Sequence, residues 1–322
     1  MIVLDCENPM LAMRQPDGKY KFIRSVRSDI YMRNASGVGE RKFYFDVSGE
    51  FILLPCGQCT SCRLNKSRDW ATRCVLEAKM HKENCFITLT YNDEYLPSDL
   101  SLRKKDFTDF IKRLRKNTDC KIRYFAAGEY GELHQRPHYH ACLFGWRPDD
   151  LKLYTIRNGI SLYQSESLLK AWQYKGFVTV GDVTFESAAY VARYVMKKVY
   201  GPSADEHYDG RQPEYTVMSR RPGIAATFFE KYSTDIYGKD FIVIRDGIKC
   251  KPPKYFDRIF DDYYGDGMFE ACVKPCRIYK ARMQFLNSEG TEFTFKRIVR
   301  RAEVKKLRFK QRMSFRSLDE VI

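Results

Sequence analysis

One stretch constrains the fold more than any other. Between Cys85 and Tyr200 the sequence alternates strand-like and helix-like runs joined by short links. CFITLTY (Cys85–Tyr91) is β-branched and aromatic and reads as a strand. LRKKDFTDFIKRLRK (Leu102–Lys116) carries Phe107, Phe110, Ile111 and Leu114 at helical spacing. KIRYFAAGEY (Lys121–Tyr130) and HYHACLFGW (His138–Trp146) are two further strands, and the short GELHQRP link predicts a hairpin. SESLLKAWQY (Ser165–Tyr174) reads as a helix with Ser165 as its N-cap, and GFVTVGDV (Gly176–Val183) as a strand. TFESAAYVARYVMKKVY (Thr184–Tyr200) is then a helix starting near Thr184 or Ser187. The first six elements match the split βαβ, or ferredoxin-like, pattern. The expected fold class is therefore α+β: an antiparallel ferredoxin-like (βαββαβ) core with N- and C-terminal extensions. Helices cover one sheet face, and the other is left for a ligand or a further helix. The chain divides, on this pattern, into an N-terminal region with a Cys cluster (1–82), the core (83–202) and a basic C-terminal region (203–322).

Charge narrows the choice of partner. Lys and Arg number 56 against 41 Asp and Glu, a formal net charge of +15 with a pI near 9.2. That balance points to a polyanion, most simply nucleic acid. Membrane phospholipid is the rival, but no run approaches the roughly 18 apolar residues of a span. The N-terminus, MIVLDCENPM, has neither the basic start nor the long apolar stretch of a signal peptide. The expectation is a cytoplasmic protein with no membrane partner. A hydrophobic content of 44% with 15% aromatics favours a packed core over disorder.

The strand RPHYHACLFG holds His138 and His140 two residues apart. With five His in the chain, chance gives about 0.06 such pairs. On a strand, positions i and i+2 share a face. Two readings fit: imidazoles sharing a divalent metal, or a hydrogen-bonded pair on an exposed sheet face. The preceding strand ends AAGEYGE, and a hairpin lets Glu129 lie opposite His138 or His140, with Glu132 next in the turn. Two imidazoles and a carboxylate suit Mg²⁺ or Mn²⁺ gripping a phosphate oxygen. Otherwise Glu129 is an ordinary strand-end charge.

AAYVARYVMKK (Ala188–Lys198) places Tyr190 and Tyr194 one helical turn apart. Spacing alone decides nothing: the 22 Tyr of the chain give about 1.4 such pairs by chance, and Tyr91/Tyr95 is another. A phenol has a pKa of about 10 and is a poor nucleophile near neutrality. It needs an activated electrophile or a cation that favours the phenolate. A metal on the adjacent sheet supplies the first; Lys197, or Lys198 as the alternate, supplies the second. The rival reading packs Tyr190 and Tyr194 with Val191 and Val195 in a core stripe.

CFITLTY, GEYGELHQRPHYHACLFG and AAYVARYVMKK together resemble, in content and order, the HUH endonucleases that start rolling-circle replication. They are most similar to the two-tyrosine initiators of microviruses, and PCGQC and MSRRPGI resemble the gokushovirus branch. The likeness covers roughly residues 50–260. It implies a nuclease core in which His138, His140 and Glu129 hold a divalent metal on the scissile phosphate of a single-stranded circular DNA origin. One tyrosine attacks, leaving a 5′-phosphotyrosyl link and a 3′-OH that a host polymerase extends. After one circuit the other tyrosine cleaves the regenerated origin and the circle is closed. It implies, too, action in the cytoplasm of a bacterial host. A two-tyrosine transposase or relaxase would share these motifs, and a non-catalytic nucleic-acid-binding protein could share the sheet. No G-x-x-x-x-G-K-[ST] P-loop is present, so a helicase would come from the host.

Eleven Cys is an odd count. Cys56, Cys59 and Cys62 follow zinc-knuckle spacing and Cys74 lies farther on; a structural Zn²⁺ on three or four of them is one reading, and free thiols another. An iron–sulfur cluster shares the Cys run, but its Cys-Pro element is absent. Arg220, Arg221, Lys198 and the basic run KRIVRRAEVKKLRFKQR (Lys296–Arg312) are candidates for phosphate contact with single-stranded DNA, or else solvated basic surface.

Overall fold

A computed structural model of the chain describes residues 6, 10–16, 20–25, 32–33, 39–40, 51–131, 134–157, 159–199, 201–245, 247–286, 304 and 307–308. The strand-like run at 42–47, Glu132 and most of the basic run at 296–312 lie outside the described residues. Two compact units are formed: Met1–Asn65 with Asp266–Ile322, and Lys66–Gly265.

The first unit contains β1 (Met10–Arg14), β2 (Tyr20–Ser25), β3 (Met32–Arg33), β4 (Gly39–Glu40), β5 (Phe51–Leu54) and the start of α1 (Thr60–Ala78). Strands β2, β1 and β5 form a three-stranded antiparallel sheet in that order, and β3 pairs with β4. A helix over Lys274–Leu286 also belongs to this unit.

The second unit continues α1 and adds β6 (Asn84–Thr90), α2 (Lys104–Thr118), β7 (Arg123–Tyr130), β8 (Pro137–Phe144), β9 (Lys152–Arg157) and β10 (Ile160–Gln164). There follow α3 (Glu166–Ala171), β11 (Val178–Gly181), α4 (Phe185–Lys197), α5 (Ser203–Tyr208), β12 (Tyr215–Met218), α6 (Ala226–Lys239) and α7 (Lys254–Tyr264). The class is thus mixed helix and sheet, built on a seven-stranded antiparallel sheet of order β12-β7-β8-β6-β11-β10-β9.

Alternation along the strands sends each residue to one face or the other. One face takes Ile87 and Leu89 of β6 and Tyr139, Ala141 and Leu143 of β8, closed by Phe107, Phe110, Ile111 and Leu114 of α2 and by Leu168 and Trp172 at α3. Helix α2 has no side-chain N-cap. Instead the Leu102 N–H donates to the Tyr130 hydroxyl at 3.1 Å and the Arg103 N–H to that of Tyr139 at 2.9 Å. Sheet tyrosines thus satisfy helix-end donors that would otherwise be orphaned. The other face takes Phe125 and Ala127 of β7 and Cys142 and Phe144 of β8, closed by Ala71 and Cys74 of α1 and Ala188, Val191 and Ala192 of α4.

The sequence pattern missed two features. β9 and β10 form a hairpin at the sheet edge. Its signal, the Asn158-Gly159 turn dipeptide, is present in the sequence, but the strands are largely exposed and carry no buried alternation. A boundary at 203 also separates what folds together, because β12 pairs antiparallel with β7 and residues 203–265 fall in the same unit as the core.

A buried network fixes the loop after β12. The Glu77 carboxylate, 1% exposed, accepts from the Arg123 guanidinium, from His81 at 3.2 Å and from the Ala225 N–H at 2.5 Å. Arg123 also donates to the carbonyls of Pro222 and Gly223 at 2.9 and 3.1 Å. Arg73, stacked between Trp70 and Tyr255, donates to the Ile224 carbonyl at 3.1 Å. A Cβ on Gly223 would come within 2.4 Å of the Tyr255 hydroxyl, so only glycine fits. Burial by itself would raise the Glu77 pKa, but hydrogen bonds from His81, Ala225 and Arg123 outweigh it and hold the group below its ordinary 4.5. A depressed folded-state pKa means that Glu77 contributes full stability above 4.5 and loses it as pH falls through the folded value. Glu77→Ala should lower stability by about 3–5 kcal/mol in urea unfolding, because it strands a buried cation. Thermal unfolding of Glu77→Gln should show a flatter loss of stability on the acid side than the natural chain. An unchanged acid limb would remove Glu77 from this role.

Candidate functional site

The β6–β8–β7 register builds the site. Thr90 pairs with His138 and His138 with Glu129; Thr88 pairs with His140 and His140 with Ala127. His138 and His140 therefore share the face that α4 covers, while Tyr139 between them points into the opposite core.

His140 is 5% exposed, and its Nε2 lies 2.8 Å from Oε1 of Glu129, itself 3% exposed. Its Nδ1 lies 2.9 Å from the Thr88 hydroxyl. A carboxylate only accepts, so Nε2 carries the proton toward Glu129 and the Thr88 hydroxyl donates to Nδ1. His138 sits beside it with its ring parallel to that of His140, at 6.3 Å between centroids and 4° between planes. Its Nδ1 donates to the Arg136 carbonyl at 2.6 Å, which leaves the lone pair of the neutral ring on Nε2, the form a metal ligand needs. Burial, and then the neighbouring His140, hold the His138 pKa below its ordinary value and favour that neutral form. The hairpin turn is cut to fit: a Cβ on Gly131 would meet His138 Cε1 at 2.9 Å. Arg136 ties the turn to the end of β6 by donating to the Tyr91 carbonyl at 3.0 Å.

Tyr190 stands over this pair. Its ring meets His140 edge-on at 5.0 Å between centroids, and Phe86 at 6.3 Å. Phe86 also stacks on His140 at 6.0 Å. The guanidinium of Arg193 lies 5.6 Å from the Tyr190 ring centre. The stripe of α4 that closes the core is Ala188, Val191 and Ala192, while Tyr190 is half-buried on its flank. Tyr194 lies one turn further along the same helix; its side chain and that of Lys197 lie outside the described residues. Lys198 is the C-cap of α4. In the rival pair, Tyr91 is 5% exposed and its hydroxyl is engaged by Asp106 and Tyr139 at 2.7 and 2.9 Å.

The site thus brings Glu129, His138, His140 and Tyr190 together on one face. Thr88, Phe86, Gly131 and Arg193 join them without having been singled out from sequence. Their only signal was position, on the same strand face or one helical turn from a named residue. Arg220 and Arg221 are exposed in the loop after β12, apart from this cluster but carried on the segment that Glu77 and Arg123 hold. Of the thiols, Cys56, Cys59 and Cys62 come together, but their fourth member is Cys6. Cys74 is fully buried in the second core with Ala71, Cys142 and Val191. It faces the sheet there and is occupied in packing.

The replication-associated protein ORF2 family matches residues 84–199, a span that includes Glu129, His138, His140, Tyr190, Tyr194, Lys197 and Lys198. The replication-associated protein ORF2 of Spiroplasma virus 4 is 37% identical over 251 residues, covering 72% of this chain and 76% of that relative. The replication-associated protein VP4 of Bdellovibrio phage phiMH2K is 34% identical over 284 residues, covering 81% and 88%. The replication-associated protein ORF4 of Chlamydia phage 1 is 29% identical over 286 residues, covering 82% and 69%. No solved structure matches the chain. Among the described residues no helix is long and apolar enough to cross a membrane. The chain belongs to the replication-associated protein ORF2 family, the rolling-circle replication initiators of microviruses.

Proposed function

We propose that this initiator is a metal-dependent nickase and rejoining enzyme for single-stranded origin DNA, with Tyr190 and Tyr194 as alternating nucleophiles. The observation that carries the reading is the edge-on contact of Tyr190 with His140, whose other side is held by Glu129. A phenol, two imidazoles and a carboxylate meet on one covered sheet face. The central strands run β7-β8-β6-β11, the antiparallel order of a ferredoxin-like core, which supports an HUH-type nuclease fold.

Glu129, His138 and His140 fit a divalent metal such as Mg²⁺ or Mn²⁺. The proton between His140 Nε2 and Glu129 is the one a cation would replace, and Thr88 is placed to accept Nδ1–H in the tautomer that results. Such a metal withdraws charge from the non-bridging oxygens of the scissile phosphate. The tyrosine oxygen attacks phosphorus; the O–P bond forms as the P–O3′ bond breaks, and the departing 3′-oxygen takes up a proton. One phosphodiester replaces another, so no nucleotide cofactor is consumed. The free 3′-OH serves a host polymerase, with a host helicase opening the duplex, in the bacterial cytoplasm. When the origin is regenerated, the second tyrosine repeats the cleavage. The new 3′-OH then attacks the first phosphotyrosine, closing the circle and releasing that tyrosine. Arg193, Lys197 and Lys198 supply positive charge near the phenols or the DNA, and Arg220 and Arg221 contact backbone phosphates.

Two outcomes test this. With a labelled origin oligonucleotide and Mn²⁺, the natural chain should form a covalent adduct on a denaturing gel. Tyr190→Phe and Tyr194→Phe should each retain a single adduct, identified by mass spectrometry, and the double variant should form none while unfolding at the same temperature. Adduct formation by the double variant would refute the assignment, and no metal-dependent adduct from the natural chain would leave a DNA-binding protein only. Thr88→Val removes the partner of His140 Nδ1. It should raise the Mn²⁺ concentration for half-maximal adduct by about 10–100-fold with the maximal yield little changed. An unaltered metal requirement would show that Thr88 does not support the ligand.

A further inference from the structure

We infer that Cys6, Cys56, Cys59 and Cys62 form a structural tetrathiolate zinc site that fastens the N-terminal sheet to the start of α1. Among the described residues, these four sulfurs are the one group of at least three ligand atoms that all lie within 4.8 Å of one another. The Cys6 and Cys59 sulfurs are 3.8 Å apart. A tetrahedral zinc with Zn–S bonds of about 2.3 Å spaces its sulfurs by about 3.8 Å. A disulfide would bring two of them to about 2.05 Å, and all four thiols are free. An iron–sulfur cluster would push its ligand sulfurs farther apart, because the cluster fills the centre.

Backbone donors supply a second, independent sign. The Cys56 N–H donates to the Cys6 sulfur at 3.2 Å. The Gln58 and Cys59 N–H groups both donate to the Cys56 sulfur, at 3.5 and 3.3 Å. A neutral thiol is a weak acceptor, so N–H groups converging on sulfur favour the thiolate that a metal needs. The first turn of α1 contains no acidic residue; Cys62, in that turn, would place a thiolate against the positive end of the helix dipole.

The site has a purpose in the fold. Cys6 precedes β1, Cys56 follows β5, and Cys59 and Cys62 flank the first residues of α1. One metal would close the 50-residue span between Cys6 and Cys56 and hold three segments at one point. A small three-stranded sheet gains little from its own core, and a clip that closes a long loop offsets much entropy. Cys6 stands fifty residues from the knuckle, which is why spacing alone nominated the nearer Cys74.

The site is independent of the nickase reading and is tested on the full chain. Elemental analysis of protein purified without chelator should give about one zinc per chain. Cys6→Ala and Cys59→Ala should lose it, and Cys74→Ala should keep it. In case the Cys6 variant fails to fold, the natural chain loaded with Co²⁺ should show the intense thiolate charge-transfer and d–d bands of a tetrahedral four-sulfur site. Folded protein with no zinc, protein with iron in its place, or zinc lost from Cys74→Ala but kept by Cys6→Ala would each overturn the proposal.

Discussion

The pairing register of β6, β8 and β7 is the constraint on which the rest depends. Side chains alternate across a strand, so a slip of one residue exchanges the two faces completely. In the observed register His138, His140, Thr88 and Glu129 share one face, and Tyr139, Ile87 and Leu89 fill the opposite core. Slipping β8 by one position would bury both imidazoles under α2 and turn Tyr139 out. That alternative is strongly disfavoured, because the Tyr139 hydroxyl closes a buried network: it accepts from Arg103 N–H, donates to the Arg103 carbonyl at 3.0 Å and meets Tyr91. The residue that looks least functional in the His-Tyr-His run is the one that fixes where its neighbours point.

Much of this was legible in the sequence, for definite reasons. The stripe Phe107, Phe110, Ile111 and Leu114 is the buried face of α2. Ser165 caps α3 through the Leu168 N–H, and Thr184 and Ser187 form the capping box of α4. These are local signals, carried within four residues. Glu129 was legible only conditionally, since its place opposite His138 depended on the register of a hairpin whose turn length alone does not set it. The contacts of Thr88 and Gly131 were not legible, because they cross strands. Cys6 was missed because its partners lie fifty residues on. The sheet order beyond the core also escaped, because β12 reaches β7 through a long connection whose pairing leaves no periodic trace in four residues.

The loop Arg220–Ala225 shows how a buried charge can serve an exposed one. Removing Glu77 and Arg123 from water costs free energy that their mutual attraction need not fully repay. They also take up the Pro222 and Gly223 carbonyls and the Ala225 N–H, however, backbone groups that would otherwise be unsatisfied in a non-repetitive segment. The consequence is a fixed backbone beneath two exposed arginines. A phosphate contact from a pre-ordered loop loses less entropy than one from a free tail, and this is a physical reason for the basic pair to sit directly before Pro-Gly.

Helix α4 resolves the tension between core and nucleophile. A helix that must both close a sheet face and present a phenol cannot use the same side chains for both tasks. Here Ala188, Val191 and Ala192 are fully buried and small, so the helix axis lies close to the strands. Tyr190, on the flank of that stripe, then reaches His140 without being needed to fill the core. Tyr194 follows one turn later, a rise of about 6 Å along the axis. The sheet ligands are fixed by register and the helix by its small-residue stripe, so a phosphate held at one point would need only a modest shift to pass from one tyrosine to the next. Larger residues in the stripe would lift the whole helix and uncouple both tyrosines from the sheet together.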